Sequence, residues 1–188
     1  MFEGEAVREG AKIRPMQRHI VTLALSLFSV VILAASGAAQ SQQAKPATND
    51  QFSREIDRDV WAVFVATVAT DDIVRMGDAY YPNAVLVNPR ETAPIKDTLE
   101  RWGKDMVAAK AKGNKAEVEF RFSRRQDGAT TAFESGIFKY TVIEKSGART
   151  SKFYPFEQLL AKANGKWRVL MERQFAEVTQ AEWDKLPK

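Results

Sequence analysis

The chain has no cysteine and a single histidine, His19, in 188 residues. Without cysteine there is no disulfide, no thiolate nucleophile and no cysteine zinc site. His19 stands beside an N-terminal apolar run, so a protein that loses that run keeps neither residue. A Ser-His-Asp triad, a Cys-His pair and a histidine-rich metal site are then excluded. Acid/base work is left to Asp, Glu, Tyr and Lys. A strong excess of one charge is also lacking. The 28 Lys and Arg against 24 Asp and Glu leave a formal +4, too small and too dispersed for a nucleic-acid partner. No glycine-rich phosphate or dinucleotide pattern occurs. Asp57, Asp59, Asp71 and Asp72 do not have the spacing of a calcium loop. No metal and no cofactor is expected.

Charge disappears altogether between Arg18 and Lys45, where Ile20 to Ala35 reads IVTLALSLFSVVILAA. Arg8, Lys12, Arg14 and Arg18 lie upstream, and the small residues Ser36, Gly37, Ala38 and Ala39 lie downstream. A basic flank, an apolar core and a small-residue exit make residues 1–39 a secretory signal peptide, cleaved within Ala38–Gln40. The apolar core falls slightly short of the about 20 residues of a membrane span. Membrane contact is therefore expected only through the leader before its removal. Met16 would open a more compact leader, MQRHIVTLALS, so residues 1–15 read as a mis-assigned start. A secreted or periplasmic bacterial protein is expected, in a compartment that permits disulfides without requiring them.

Gln40 to Gln51, QSQQAKPATNDQ, is polar and aperiodic and reads as a flexible linker. Residues 52–180 have the size of one domain, and 181–188 read as a polar tail. Ile56, Val60, Phe64 and Val68 recur every fourth residue and predict a first helix ending near Ala69. Asp71 and Asp72 suit the cap of a second helix, Ile73 to Tyr81, stopped by Pro82-Asn83. Ala84 to Pro89 is a short strand. Pro94 suits the start of a third helix, Ile95 to Lys112, with Ile95, Leu99, Trp102, Met106 and Ala109 on one face and Gly113 as its stop. Four strands follow. Val118, Phe120 and Phe122 alternate with Glu117, Glu119 and Arg121. Gly136 marks a bulge or a close approach in the second strand. Thr150 to Lys162 is the third strand, and Asn164-Gly165 the strongest hairpin turn. In the last strand Trp167, Val169 and Met171 alternate with Arg168, Leu170 and Glu172. Arg124-Arg125 reads as a solvated charge pair. The expected fold is α+β: three N-terminal helices packed on a curved antiparallel sheet, a short strand plus a four-strand meander, around a cone-shaped cavity.

Two stretches carry a family resemblance. DIVRMGDAYYPNAVLVNP, from Asp72, and NGKWRVL, from Asn164, in this order of elements, resemble the nuclear transport factor 2-like superfamily over about Ser53 to Val178. Its members include ketosteroid isomerase, SnoaL-like cyclases and scytalone dehydratase. The isomerase's chemistry needs a carboxylate base and two acidic donors, a Tyr and a protonated carboxyl. The resemblance places the base on Asn88, the Tyr donor on Phe64 and the second donor near Glu157. Phe64, Asp72, Tyr80 and Asn88 stand eight residues apart, in agreement with that alignment. An amide cannot take the proton and Phe has no hydroxyl, so the resemblance implies the fold without the isomerase activity.

The candidate site follows. Glu157, among Tyr154, Phe156 and Leu159, would be the catalytic acid/base if it points into the cavity. Otherwise it is a sheet-face carboxylate paired with a base. Asn88 and Tyr80 would orient a ligand, or Asn88 would cap the Pro89-Arg90 turn. Phe64 and Trp61 are core and cavity wall. Glu172 and Arg173 are adjacent and must face opposite ways, so one of them faces the cavity; Arg173 there would bind an anionic group. Phe120, Phe122, Phe138 and Tyr140 are core or interface aromatics. The expected function is an exported domain binding a small apolar or carbonyl-containing molecule. The alternative is a cofactor-free SnoaL-like cyclase, isomerase or dehydratase using Glu157. A homodimer through the sheet is compatible with both.

Overall fold

The computed structural model describes residues 49–188. The leader, its cleavage site, His19 and most of the expected linker lie outside the described residues. Helix α1 (Asn49–Ile56) begins inside the stretch read as linker. It runs through a π-helical turn (Asp57–Trp61) into α2 (Ala62–Thr70). Residues spaced by four drift about 40° per step around a 3.6-residue helix. The wider π turn absorbs part of that drift, and Ile56, Val60, Phe64 and Val68 are all buried. Asp71 closes α2 in the left-handed conformation, and Asp72 Oδ1 accepts the Arg75 N–H at 3.0 Å to cap α3 (Ile73–Gly77). The second helix is shorter than the expected Ile73–Tyr81. Gly77 ends it, the Ala79 carbonyl accepts from Val169 N–H at 2.8 Å, and Tyr80 already belongs to a strand.

Strands β1 (Tyr80–Val87) and β2 (Thr92–Pro94) precede α4 (Ile95–Ala111). Then come β3 (Lys115–Asp127), β4 (Thr131–Ile143), β5 (Arg149–Ala163) and β6 (Lys166–Gln174). They form one six-stranded curved sheet in the order β2-β1-β6-β5-β4-β3. The meander β3 to β6 is antiparallel as expected, but β1 runs parallel to β6. The sheet is therefore mixed, and β2, absent from the sequence reading, forms its edge. Asn164 and Gly165 both have positive φ, the signature of the tight hairpin turn their types favour. Helix residues Ile56, Val60 and Phe64 meet Leu86, Phe156, Leu160, Trp167 and Val169 of the sheet in one core.

Two bulges set which side chains face that core. In β3 the register shifts between Phe122 and Arg124, opposite Gly136. A Cβ on Gly136 would lie 2.1 Å from the Arg121 carbonyl oxygen, so the close approach requires glycine. The extra residue turns Arg125 inward, against its reading as a solvated charge. Its guanidinium donates to Glu134 at 2.6 Å and to Asp57 at 2.7 Å, and the Trp61 indole donates to Glu134 at 2.5 Å. In β6 Leu160 pairs with Val169 and Leu159 with Met171, which leaves Leu170 as the extra residue. Trp167 and Val169 face the core before it, and Glu172 does so after it.

The expected polar tail instead contains α5 (Gln180–Asp184), with Trp183 buried against Ile137 and Phe153 on the outer face of the sheet. Arg121 stacks on Trp183, 4.4 Å from its ring centre, and donates to its carbonyl at 3.0 Å. This helix covers part of the face expected to pair two copies.

Gly136→Ala is expected to cost about 2–3 kcal/mol, read by urea denaturation. Glu134, fully buried, is pushed up to about 7 mainly by burial, partly offset by Arg125. The folded chain therefore holds this proton more tightly than the unfolded chain. Its contribution to stability is full below about 4.5 and is lost as pH rises through about 7. Urea unfolding between pH 5 and 8 should show that decline, up to roughly 3 kcal/mol from this group. Glu134→Gln should make it shallower.

Candidate functional site

Between the inner face of the sheet and helices α2, α3 and α4 lies a pocket of about 400 Å³. Its walls are Phe64 and Val68 of α2, Met76 of α3, and Trp102, Met106 and Ala109 of α4. The strands add Val118, Phe120, Phe138, Tyr140, Tyr154 and Phe156. The helix faces arise from apolar spacing of three and four, and the strand faces from strict alternation. Exposed Asp105 and Lys115, with Asp71, stand among the lining residues.

Against this apolar wall, four polar side chains meet at one place. Tyr80 comes from β1, Gln158 from β5, and Glu172 and Gln174 from β6. The Tyr80 hydroxyl donates to Glu172 Oε2 at 2.5 Å, and the Gln158 amide donates to the same oxygen at 3.1 Å. The Gln174 amide donates to Oε1 at 2.6 Å. Tyr80, Gln158 and Glu172 are all buried. Burial raises the Glu172 carboxyl above the usual carboxylate range, and its three donors pull it back only in part. Burial, then the neighbouring Glu172 charge, holds the Tyr80 hydroxyl well above the ordinary tyrosine value. A buried carboxyl bonded to a phenol in an apolar pocket can hold a polar ligand group, or hold and move a proton. Among the described residues no group of three His, Cys, Asp or Glu is placed to hold a metal ion.

Of the sequence candidates, Tyr80 and Phe64 line the pocket. Trp61 does not. It sits behind the wall, with ring centres 4.6–5.9 Å from Phe64, Phe120, Phe122 and Phe156, and its N–H is spent on Glu134. Asn88 takes the capping role: its Oδ1 accepts the N–H of Arg90 at 2.9 Å and of Glu91 at 3.1 Å, outside the pocket. Glu157 and Arg173 are cross-strand partners on the outer face, 3.7 Å apart and partly exposed. Their expected place in the cavity is corrected, because each is one residue out of phase with the inward pair Gln158 and Glu172. Strict alternation from Trp167 and Val169 sends Met171 and Arg173 inward; the Leu170 bulge reverses this. Gln158 and Gln174 were missed altogether. The turn at Asn164-Gly165 gave no hint of a bulge six residues on.

No protein-family model matches the chain, and no curated protein matches it in sequence. Solved structures do. A nuclear transport factor 2-like protein of unknown function from Shewanella oneidensis is 14% identical, with a TM-score of 0.54, over 66% of this chain and 98% of its own. A ketosteroid isomerase-like protein from Erwinia carotovora is 20% identical, with a TM-score of 0.52, over 70% and 99%. A nuclear transport factor 2-like superfamily protein from Salmonella enterica is 15% identical, with a TM-score of 0.54, over 68% and 92%. At these identities the likeness is one of fold, and the chain has the fold that its motifs led us to expect.

The two faces of β5 and β6 should respond differently to mutation. Tyr80→Phe removes a buried bond to a carboxyl group and should cost about 1–3 kcal/mol. Glu157→Ala and Arg173→Ala break a loose, half-exposed pair and should each cost under about 1 kcal/mol. Chemical denaturation of the three variants makes the comparison; equal losses would place the outer pair, against this geometry, in the core.

Proposed function

We propose that this chain, built on the nuclear transport factor 2-like fold, is an exported small-molecule-binding domain that takes an apolar ligand with one polar end in a cone-shaped cavity. One observation carries the reading. The pocket wall is mainly aromatic and aliphatic, and the buried polar side chains Tyr80, Gln158 and Glu172 converge at a single place, joined by the half-buried Gln174. Apolar walls supply affinity and a few convergent polar groups supply orientation. Export rests on the basic flank, apolar run and small-residue exit of residues 1–39. Asn88 is spent on a turn and Phe64 has no hydroxyl, which supports the loss of ketosteroid-isomerase chemistry.

The second reading is an enzyme of the cyclase, isomerase or dehydratase type. It is favoured by the Glu172 carboxyl, raised by burial and bonded to the Tyr80 hydroxyl. Glu172 takes the acid/base role first assigned to Glu157.

The test is titration with the neutral dye Nile red, followed by fluorescence. The wild type should bind it. Ala109→Trp, which fills the pocket from α4, should weaken binding by about tenfold or more, about 1.4 kcal/mol, with its folding unchanged by circular dichroism. Apolar compounds that bind should be recovered intact by mass spectrometry. Conversion that vanishes in Glu172→Gln would favour the enzyme.

A further inference from the structure

Three donors converge on Glu172, and no positive charge does. Tyr80, Gln158 and Gln174 all present hydrogens to its two oxygens. A neutral carboxylic acid needs an acceptor for its own proton; the two amide nitrogens cannot accept it, and the Tyr80 oxygen could do so only by turning its own hydrogen away from Glu172. This is the coordination of an ionised carboxylate. Yet among the described residues no Lys or Arg forms an ion pair with Glu172. A buried charge without a partner is costly.

A second demand lies beside the first. Gln158 is only 2% exposed, and its Oε1 is buried without a hydrogen-bond partner. Turning the amide over would pair Oε1 only with a protonated Glu172, and would leave Nε2 in the place where Oε1 now finds no partner. The polar end of the pocket therefore holds one unpaired acceptor and one carboxyl group without a cation, side by side. Both are answered by the same chemistry, an N–H donor that carries positive charge. The rest of the lining agrees. Its other carboxylates are Asp71, which pairs with Lys110 at 3.8 Å, and Asp105, with one lysine, Lys115, in the lining. Its aromatic rings can also hold a cation against their faces.

We propose that the ligand of this pocket carries a protonated amine on an apolar body, the ammonium donating to Gln158 Oε1 and pairing with the Glu172 carboxylate. The proposal rests on the reading of the pocket as a ligand site. An anionic ligand would be repelled by an ionised Glu172, and a carbonyl oxygen would add an acceptor beside Gln158 Oε1, which already lacks a donor. Burial works against ionised Glu172; an ammonium beside it removes that opposition.

Calorimetric titration with three probes sharing one apolar cage tests it: 1-adamantanamine, 1-adamantanol and 1-adamantanecarboxylate. The amine should bind at least about tenfold more tightly than the alcohol, and the carboxylate more weakly than either. In Glu172→Gln the ratio of amine to alcohol affinity should fall to near one. Gln158→Met, which keeps the bulk and removes Oε1, provides a second variant should the first not fold, and should reduce the same ratio severalfold. Amine and alcohol bound equally by the wild type, or the carboxylate bound best, overturns the amine assignment; Nile red binding would then still uphold the pocket. If neither the probes nor Nile red bind, the pocket reading falls and the amine with it.

Discussion

A single extra residue in the last strand governs the chemistry of the pocket. Side chains in a strand alternate between faces with a period of two, so one inserted residue exchanges the faces of everything beyond it. Leu170 is that residue in β6. Before it, Trp167 and Val169 close the core; after it, Glu172 and Gln174 enter the pocket while Arg173 turns out to Glu157. Without the bulge the pocket would receive Met171 and Arg173. Its polar end would then be cationic and would lack the partner that Tyr80 now finds.

The β3 bulge does the same for a different purpose. It turns Arg125 inward at the far end of the strand from the pocket mouth residue Lys115. There Glu134, Arg125, Asp57 and the Trp61 indole form a paired cluster that ties α1 and the π turn to β3 and β4. Two glutamates are thus buried on the inner face of one sheet, with different company. Glu134 has a cation and serves the fold. Glu172 has only neutral donors and faces the pocket. A carboxylate buried without a cation costs stability; at Glu134 the ion pair with Arg125 offsets part of that cost, and at Glu172 only neutral hydrogen bonds do.

Much of the architecture was legible from local signals. The four-residue spacing of Ile56 to Val68, the caps at Asp71 and Asp72, Pro94, Gly113 and the Asn164-Gly165 turn each act within a few residues, and each marks an observed boundary or face. Even Gly136 was readable as a close approach. The site was read half correctly. Tyr80 and Phe64 line the pocket, Asn88 chose its capping role, and the choice between Glu172 and Arg173 was left open by alternation alone. Glu157 failed by one position, the smallest error a strand permits and one that reverses the face.

The sequence by itself determined the absence of cysteine chemistry, the order of helices and meander, and the apolar faces that must be buried, because composition, periodicity and turn preference are local properties. Only the tertiary structure decided which carboxyl enters the pocket, that β1 lies parallel to β6, and that the C-terminal segment returns to cover Phe153 with Trp183. Each depends on register or contact between strands and segments distant in the chain. A bulge is defined by two residues facing one across a ladder, so it does not exist until the partner strand is in place.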